Sequence, residues 1–159
     1  GYDPLRYTFG LNIAQWAKDA GIPMEAAPTE FNVISDALFE TQDFDAALMG
    51  WSLTAYPDHM RWFFHSDQTG LGGFNPQGYS NPEFDKLADE FMAESNMDKA
   101  REQAFKLQEM LADELPYIVL FDTPLIEAYR SDRLEYPYTQ ILSGLQRYGA
   151  LTSTVKLLK

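Results

Sequence analysis

Residues 44–58, FDAALMGWSLTAYPD, constrain this chain more than any other stretch. From Phe44 to Trp51 only Asp45 is charged, and the run has the length of a strand covered on both faces. Pro57 then forbids further regular pairing. Trp51, Ser52, Thr54, Tyr56 and Asp58 crowd the end of the run. In an open α/β sheet ligands settle outside the carboxyl ends of the strands, so this loop is the expected binding edge.

The flanking pattern supplies the rest of such a sheet. Asp3 and Pro4 can cap and begin a helix, with Ile13, Trp16, Ala17 and Ala20 on one face and Gly21 at its end. Residues 22–27 are expected as a short strand, late-starting or at an edge because of Pro23. Thr29 can cap a second helix that carries Phe31, Ile34 and Leu38 inward. Strand, helix and strand in about 30 residues make a βαβ crossover, which puts the 51–58 loop at the carboxyl edge of a parallel pair. Residues 66–81 are rich in Gly, Asn, Pro, Ser and Gln and are expected as a long surface loop. Ser80-Asn81-Pro82-Glu83 starts another helix, striped by Phe84, Leu87, Ala88, Phe91 and Met92. Asp98 can cap the next, with Ala100, Ala104, Leu107 and Leu111 inward, Lys99, Arg101, Glu102, Lys106 and Glu109 outward, and Pro116 as its stop. Residues 117–121 and 125–129 are expected as further strands. The segment after Tyr136 has weak periodicity.

Composition removes several function classes. With 24 acidic against 12 basic residues the net charge is −12, which disfavours nucleic acid and anionic membrane surfaces as partners. No cysteine is present, so disulfides and thiolate metal sites are excluded. No apolar run reaches the roughly 18 residues of a membrane span. The opening Gly1-Tyr2-Asp3-Pro4 has no initiator Met, and the chain is read as a piece of something longer.

The candidate chemistry is recognition. His59 and His65 lie six residues apart beside Asp58 and Asp67, off the spacing that puts two metal ligands on one helix face. Asp45, Asp58 and Asp67 include no pair with a positioned nucleophile or base. Gly70-Leu71-Gly72-Gly73 lacks the preceding strand and following Lys of a phosphate loop. No catalytic residue, metal ligand or cofactor site is therefore assigned. Trp51 can serve as a flat apolar wall for a ligand, with Tyr56 or Phe31 as neighbours.

The order of these pieces resembles the C-terminal lobe of the family 5 extracellular solute-binding proteins, the oligopeptide, dipeptide and nickel receptors of ABC importers. The likeness is carried by Trp16-Ala17-Lys18-Asp19-Ala20-Gly21-Ile22, then Phe44-Asp45-Ala46-Ala47-Leu48-Met49-Gly50-Trp51, Tyr56-Pro57-Asp58 and Phe63-Phe64-His65-Ser66. It continues through Gly78-Tyr79-Ser80-Asn81-Pro82-Glu83-Phe84-Asp85-Lys86-Leu87 and closes with Leu115-Pro116-Tyr117-Ile118-Val119-Leu120-Phe121. The resemblance implies an α/β, periplasmic-binding-protein type II-like lobe with a mixed sheet flanked by helices. By the same resemblance, residues 1–135 are expected to form the ligand-binding lobe and 136–159 a tail returning toward an N-terminal lobe of the parent chain. It also implies a non-enzymatic, extracytoplasmic receptor, periplasmic or at the cell surface, that captures a peptide-like or other small solute by lobe closure and delivers it to a membrane permease.

In similar proteins the Gly-Trp segment lines the cleft, which maps onto Trp51, Ser52, Leu53 and Thr54, with Phe31 walling the pocket. Peptide receptors of the family commonly place an Asp three residues after that Trp, against the peptide α-ammonium. Here the position is Thr54, whose hydroxyl cannot replace a charge. Losing one partner of a buried charge pair costs about 2–5 kcal/mol, so a free peptide N-terminus is not expected to be held there. Asp58 is the alternative source of charge. A hydrolase domain, carbohydrate-active or other, and a lobe repurposed for protein interaction or sensing are the competing readings.

Overall fold

A computed structural model describes residues 3–53, 56–122, 130–135 and 156–157. The chain divides into two compact units, Gly1–Trp51 with Asp58–Pro116, and Ser52–Pro57 with Tyr117–Lys159. The first unit is helical. Its elements are α1 (Pro4–Asp19), α2 (Phe31–Ser35, running on as a π-helical turn over Asp36–Thr41), α3 (His59–Phe64), α4 (Pro82–Ala93) and α5 (Met97–Glu114).

Local chemistry explains the starts of α1, α4 and α5. The Asp3 carboxylate accepts from the Leu5 and Arg6 N–H groups, with Pro4 in the first turn. Asn81 does the same for Glu83 and Phe84, again with a Pro at the start. Asn96, two residues before the expected Asp98, caps α5 by accepting from the Asp98 and Lys99 N–H groups. Leu115 leaves α5 at φ +48°, and Pro116 prevents continuation. The second helix differs from expectation: Glu30 rather than Thr29 stands at its N-cap, and no side chain caps it.

The core lies where α3, α4 and α5 pack. Met60 and Phe64 from α3, Phe84, Ala88 and Phe91 from α4, and Ala100, Ala104 and Leu107 from α5 are all buried. Phe64, Tyr79 and Phe84 form a triangle of edge-on rings, with centroids 6.2, 6.3 and 5.5 Å apart. Burial pushes the Tyr79 hydroxyl pKa up. Asn75, fully buried, donates to the His65 and Tyr79 carbonyls and accepts the Tyr79 N–H, so the 66–81 loop is pinned to the core. By contrast α1 buries only Ala14, and Trp16 is 60% exposed instead of facing inward.

The expected mixed sheet is not confirmed among the described residues. Among the described residues neither 44–51 nor 117–121 enters a ladder, and 22–27 is irregular. The ladder present is a short antiparallel pair in the second unit, β1 (Leu134–Glu135) with β2 (Lys156–Leu157), in register Leu134 to Leu157. A strand draws its stability from its neighbours, and an apolar run without one stays irregular whatever its propensity. Ile118 and Val119 are accordingly more than four-fifths exposed. The expected strand at 125–129 lies outside the described residues, as does most of the tail. No helix among the described residues is long and apolar enough to cross a membrane.

A charged clasp joins α3 to α4. Arg61 forks onto Asp67 at 2.7 and 3.1 Å and donates through Nε to Asp89 at 3.0 Å. That guanidinium, foremost, holds the Asp67 carboxyl down to about 2 from its ordinary 3.8, against a smaller opposing effect of burial. A depressed carboxyl contributes stability above its unfolded pKa and loses it as pH falls through the folded one. Because Asp67 is half-exposed, the contribution is about 1 kcal/mol or less. Asp67→Asn is therefore expected to lower stability by about that amount at pH 7, with the difference from wild type closing between about pH 4 and pH 2. Urea titrations of both proteins across that window check it.

Candidate ligand-binding site

Trp51 ends the apolar run and packs among three rings from separate segments. Phe63 of α3 lies at 4.6 Å between centroids, tilted 38°. Phe39 of the π-helical turn lies at 6.2 Å and Phe74 of the 66–81 loop at 6.3 Å, both edge-on. Phe39 and Phe74 touch each other at 5.9 Å, and Phe63 and Phe74 at 6.3 Å. Such pairs add about 0.5–1.5 kcal/mol each beyond area burial, enough to fix the indole orientation. Yet Trp51 remains 36% exposed and Phe74 44%. The result is an aromatic platform, braced from behind and open in front.

Two glycines allow it. A Cβ on Gly73 would stand 2.1 Å from the Gln68 carbonyl oxygen, so only glycine lets the chain turn tightly before Phe74. A Cβ on Gly50 would meet the Arg6 guanidinium at 3.3 Å. Arg6 is itself paired with Asp3 at 2.9 Å, so the N-terminal turn of α1 rests on the backbone just before Trp51. The Gly72 N–H donates to the Phe39 carbonyl, tying the loop to the π-helical turn.

His59 lies beside this platform, 6.1 Å from the Phe63 ring. Burial pushes its pKa below the ordinary 6.5, against a smaller opposing pull from Asp58. His65 is buried near the clasp, and its Nδ1 accepts the Asp67 N–H at 3.1 Å. The same Nδ1 stands 3.0 Å from the Asp67 carboxylate, and Nε2 3.5 Å from that of Asp89. The two histidines thus sit in different environments, and no group of three or more metal-ligating side chains converges among the described residues.

The residues expected to line the site divide between the two units. Phe31, Trp51 and Asp58 belong to the first, and Ser52, Leu53 and Tyr56 to the second, while Thr54 lies outside the described residues. Phe31, Leu53 and Tyr56 are exposed, and Asp58 is half-buried at the start of α3. Sequence reasoning missed Phe39, Phe63 and Phe74 as partners of Trp51. The signal was present as aromatics just inside or beside turn-forming segments, but periodicity assigns such residues to no common face.

No protein-family model matches the chain. The oligopeptide-binding protein OppA of Bacillus subtilis is 32% identical over 106 residues, covering 67% of this chain and 19% of that protein. The chain is a homologue of the family 5 solute-binding proteins. AppA of the same organism, also an oligopeptide-binding protein, is 28% identical over 118 residues, 74% of this chain and 21% of its own length. The structure of AppA in complex with a nonapeptide superimposes with a TM-score of 0.66 at 28% identity, over 72% of this chain and 23% of that one. That match fits the periplasmic-binding-protein fold for this homologue. The chain spans about one fifth of the length of the curated relatives it matches.

Removing Phe63 takes away the ring nearest Trp51. Phe63→Ala is expected to cost about 2 kcal/mol, less than a fully buried Phe because the side chain is half-buried. It is also expected to increase acrylamide quenching of Trp51 in a background where Trp16 and Trp62 are replaced by Phe. Unchanged quenching would show that Trp51 is not held by that contact.

Proposed function

We propose that this chain is the recognition lobe of an extracytoplasmic peptide-binding protein that serves an ABC importer, with residues 1–135 as the lobe and 136–159 as its tail. The observation that carries the reading is the exposed Trp51 indole held rigid by Phe39, Phe63 and Phe74. A fixed aromatic face binds apolar and peptide groups without first ordering itself, which saves the entropy a mobile side chain would lose. The homology to oligopeptide-binding proteins supports the same ligand class. In this reading Phe31, Trp51, Ser52, Leu53, Thr54, Tyr56 and Asp58 line one wall, a second lobe supplies the other, and closure on the ligand precedes delivery to a membrane permease. No residue is assigned a catalytic role.

Native mass spectrometry of the full-length protein is expected to reveal co-purified peptide. Trp51→Ala in that protein is expected to weaken peptide binding about tenfold or more, the worth of a well-buried aromatic contact, when measured below the variant's lowered melting temperature. Undiminished binding in that variant overturns the assignment of Trp51.

The absence of a carboxylate at position 54 makes a separate prediction. Thr54→Val is expected to leave the affinity for peptides with a free amino terminus within about twofold, because no charge pair is lost. A tenfold loss, measured calorimetrically, would mean that the hydroxyl does hold the amine.

A further inference from the structure

Beside the first turns of α1 lies an open depression of about 350 Å³, lined by Tyr7, Pro28, Thr29 and Glu30. Its size is at the lower end for small-ligand sites, which run from roughly 300 to 1,000 Å³. Glu30 stands at the N-cap of α2, yet its carboxylate makes no capping hydrogen bond. Among the described residues no ion pair engages it. Tyr7, 45% exposed, contributes an aromatic ring to the same lining. A carboxylate, an aromatic ring and a hydroxyl lining one depression are the chemistry that holds a cation.

The lining residues adjoin, in sequence, residues of the platform's support and of the expected wall. Tyr7 follows Arg6, whose guanidinium rests on Gly50 immediately before Trp51. Glu30 precedes Phe31, one of the expected wall residues. The chain's charge of −12 favours the approach of cations in general. A single carboxylate suits a compact ammonium better than a guanidinium, which seeks paired acceptors in a plane.

We propose that the depression formed by Tyr7, Pro28, Thr29 and Glu30 is a subsite for an alkylammonium group of a peptide ligand, with Glu30 as the anionic anchor and Tyr7 as the π face. The inference rests on the peptide-recognition reading above and adds where the ligand's positive charge goes. It also gives a function to a carboxylate that the helix cap leaves unused.

Nitrogen-edited NMR titration of the 159-residue chain tests it with four alanine-based pentapeptides. One carries a central lysine with both termini blocked, one a central norleucine with a free amino terminus, one both amines and one neither. The amine-bearing peptides are expected to shift the Tyr7, Thr29 and Glu30 amides, and the two singly charged ones tell whether a side-chain or a terminal ammonium is preferred. Glu30→Gln is expected to weaken the response about three- to tenfold, and Tyr7→Ala similarly, while Tyr7→Phe keeps it. Higher salt is expected to weaken it as well. Equal shifts from the amine-free peptide, or a titration unchanged in Glu30→Gln, overturn the proposal. Shifts at Trp51 without shifts at Tyr7, Thr29 and Glu30 overturn the subsite and leave the recognition reading standing. Silence at every one of these positions overturns the subsite and counts against recognition by this chain.

Discussion

The packing of α3 against α4 governs the first unit. Phe64 closes the triangle with Tyr79 and Phe84, and Phe84 is wholly buried. The next residue back, Phe63, points its ring into the Trp51 platform. Two adjacent side chains on a short helix therefore carry the core on one side and the candidate site on the other. A helix of six residues has little stability of its own, so its position is set by these contacts. Whatever loosens Phe64 also moves Phe63, and with it the brace behind Trp51.

Polar groups make that position unique. Apolar packing tolerates small slides, but Arg61 reaches Asp67 and Asp89 with directional hydrogen bonds. Asp85 accepts from both the N–H and the hydroxyl of Ser66, and Asn75 satisfies its amide on three backbone groups. Each bond is modest in net energy, about 0.5–1.5 kcal/mol, yet a buried donor left unpaired would cost more. These bonds anchor the loop from Ser66 to Asn81 to the core, and from it Phe74 reaches Trp51.

Helix starts were legible in the sequence because capping is local chemistry: Asp3-Pro4 and Asn81-Pro82 each place an oxygen and a proline within one turn. The inward stripe of α5, Ala100, Ala104 and Leu107, was legible for the same reason, as periodicity alone selects it. Strands were not. Residues 44–51 and 117–121 have the composition of buried strands, but a ladder needs a partner that composition does not identify. Trp16 was misplaced because α1 follows helical spacing while burying only Ala14. Helical spacing names a face, and only packing decides whether anything covers it.

For the candidate site, Trp51 was legible as an aromatic at the end of an apolar run, and its family resemblance is carried by the Gly50-Trp51 pair. Its three ring partners come from positions 39, 63 and 74, which no periodic pattern relates. The sequence by itself determined the starts of α1 and α4, the inward face of α5, the acidic balance and the absence of cysteine chemistry, because each depends on near neighbours or on counts. Only the tertiary structure decided that Trp51 is braced yet open, that Gly73 must lack a side chain, and that Glu30 and Tyr7 face one depression. Those facts depend on distances between residues far apart in the chain, and chain-distant approach is set by packing rather than by any local preference.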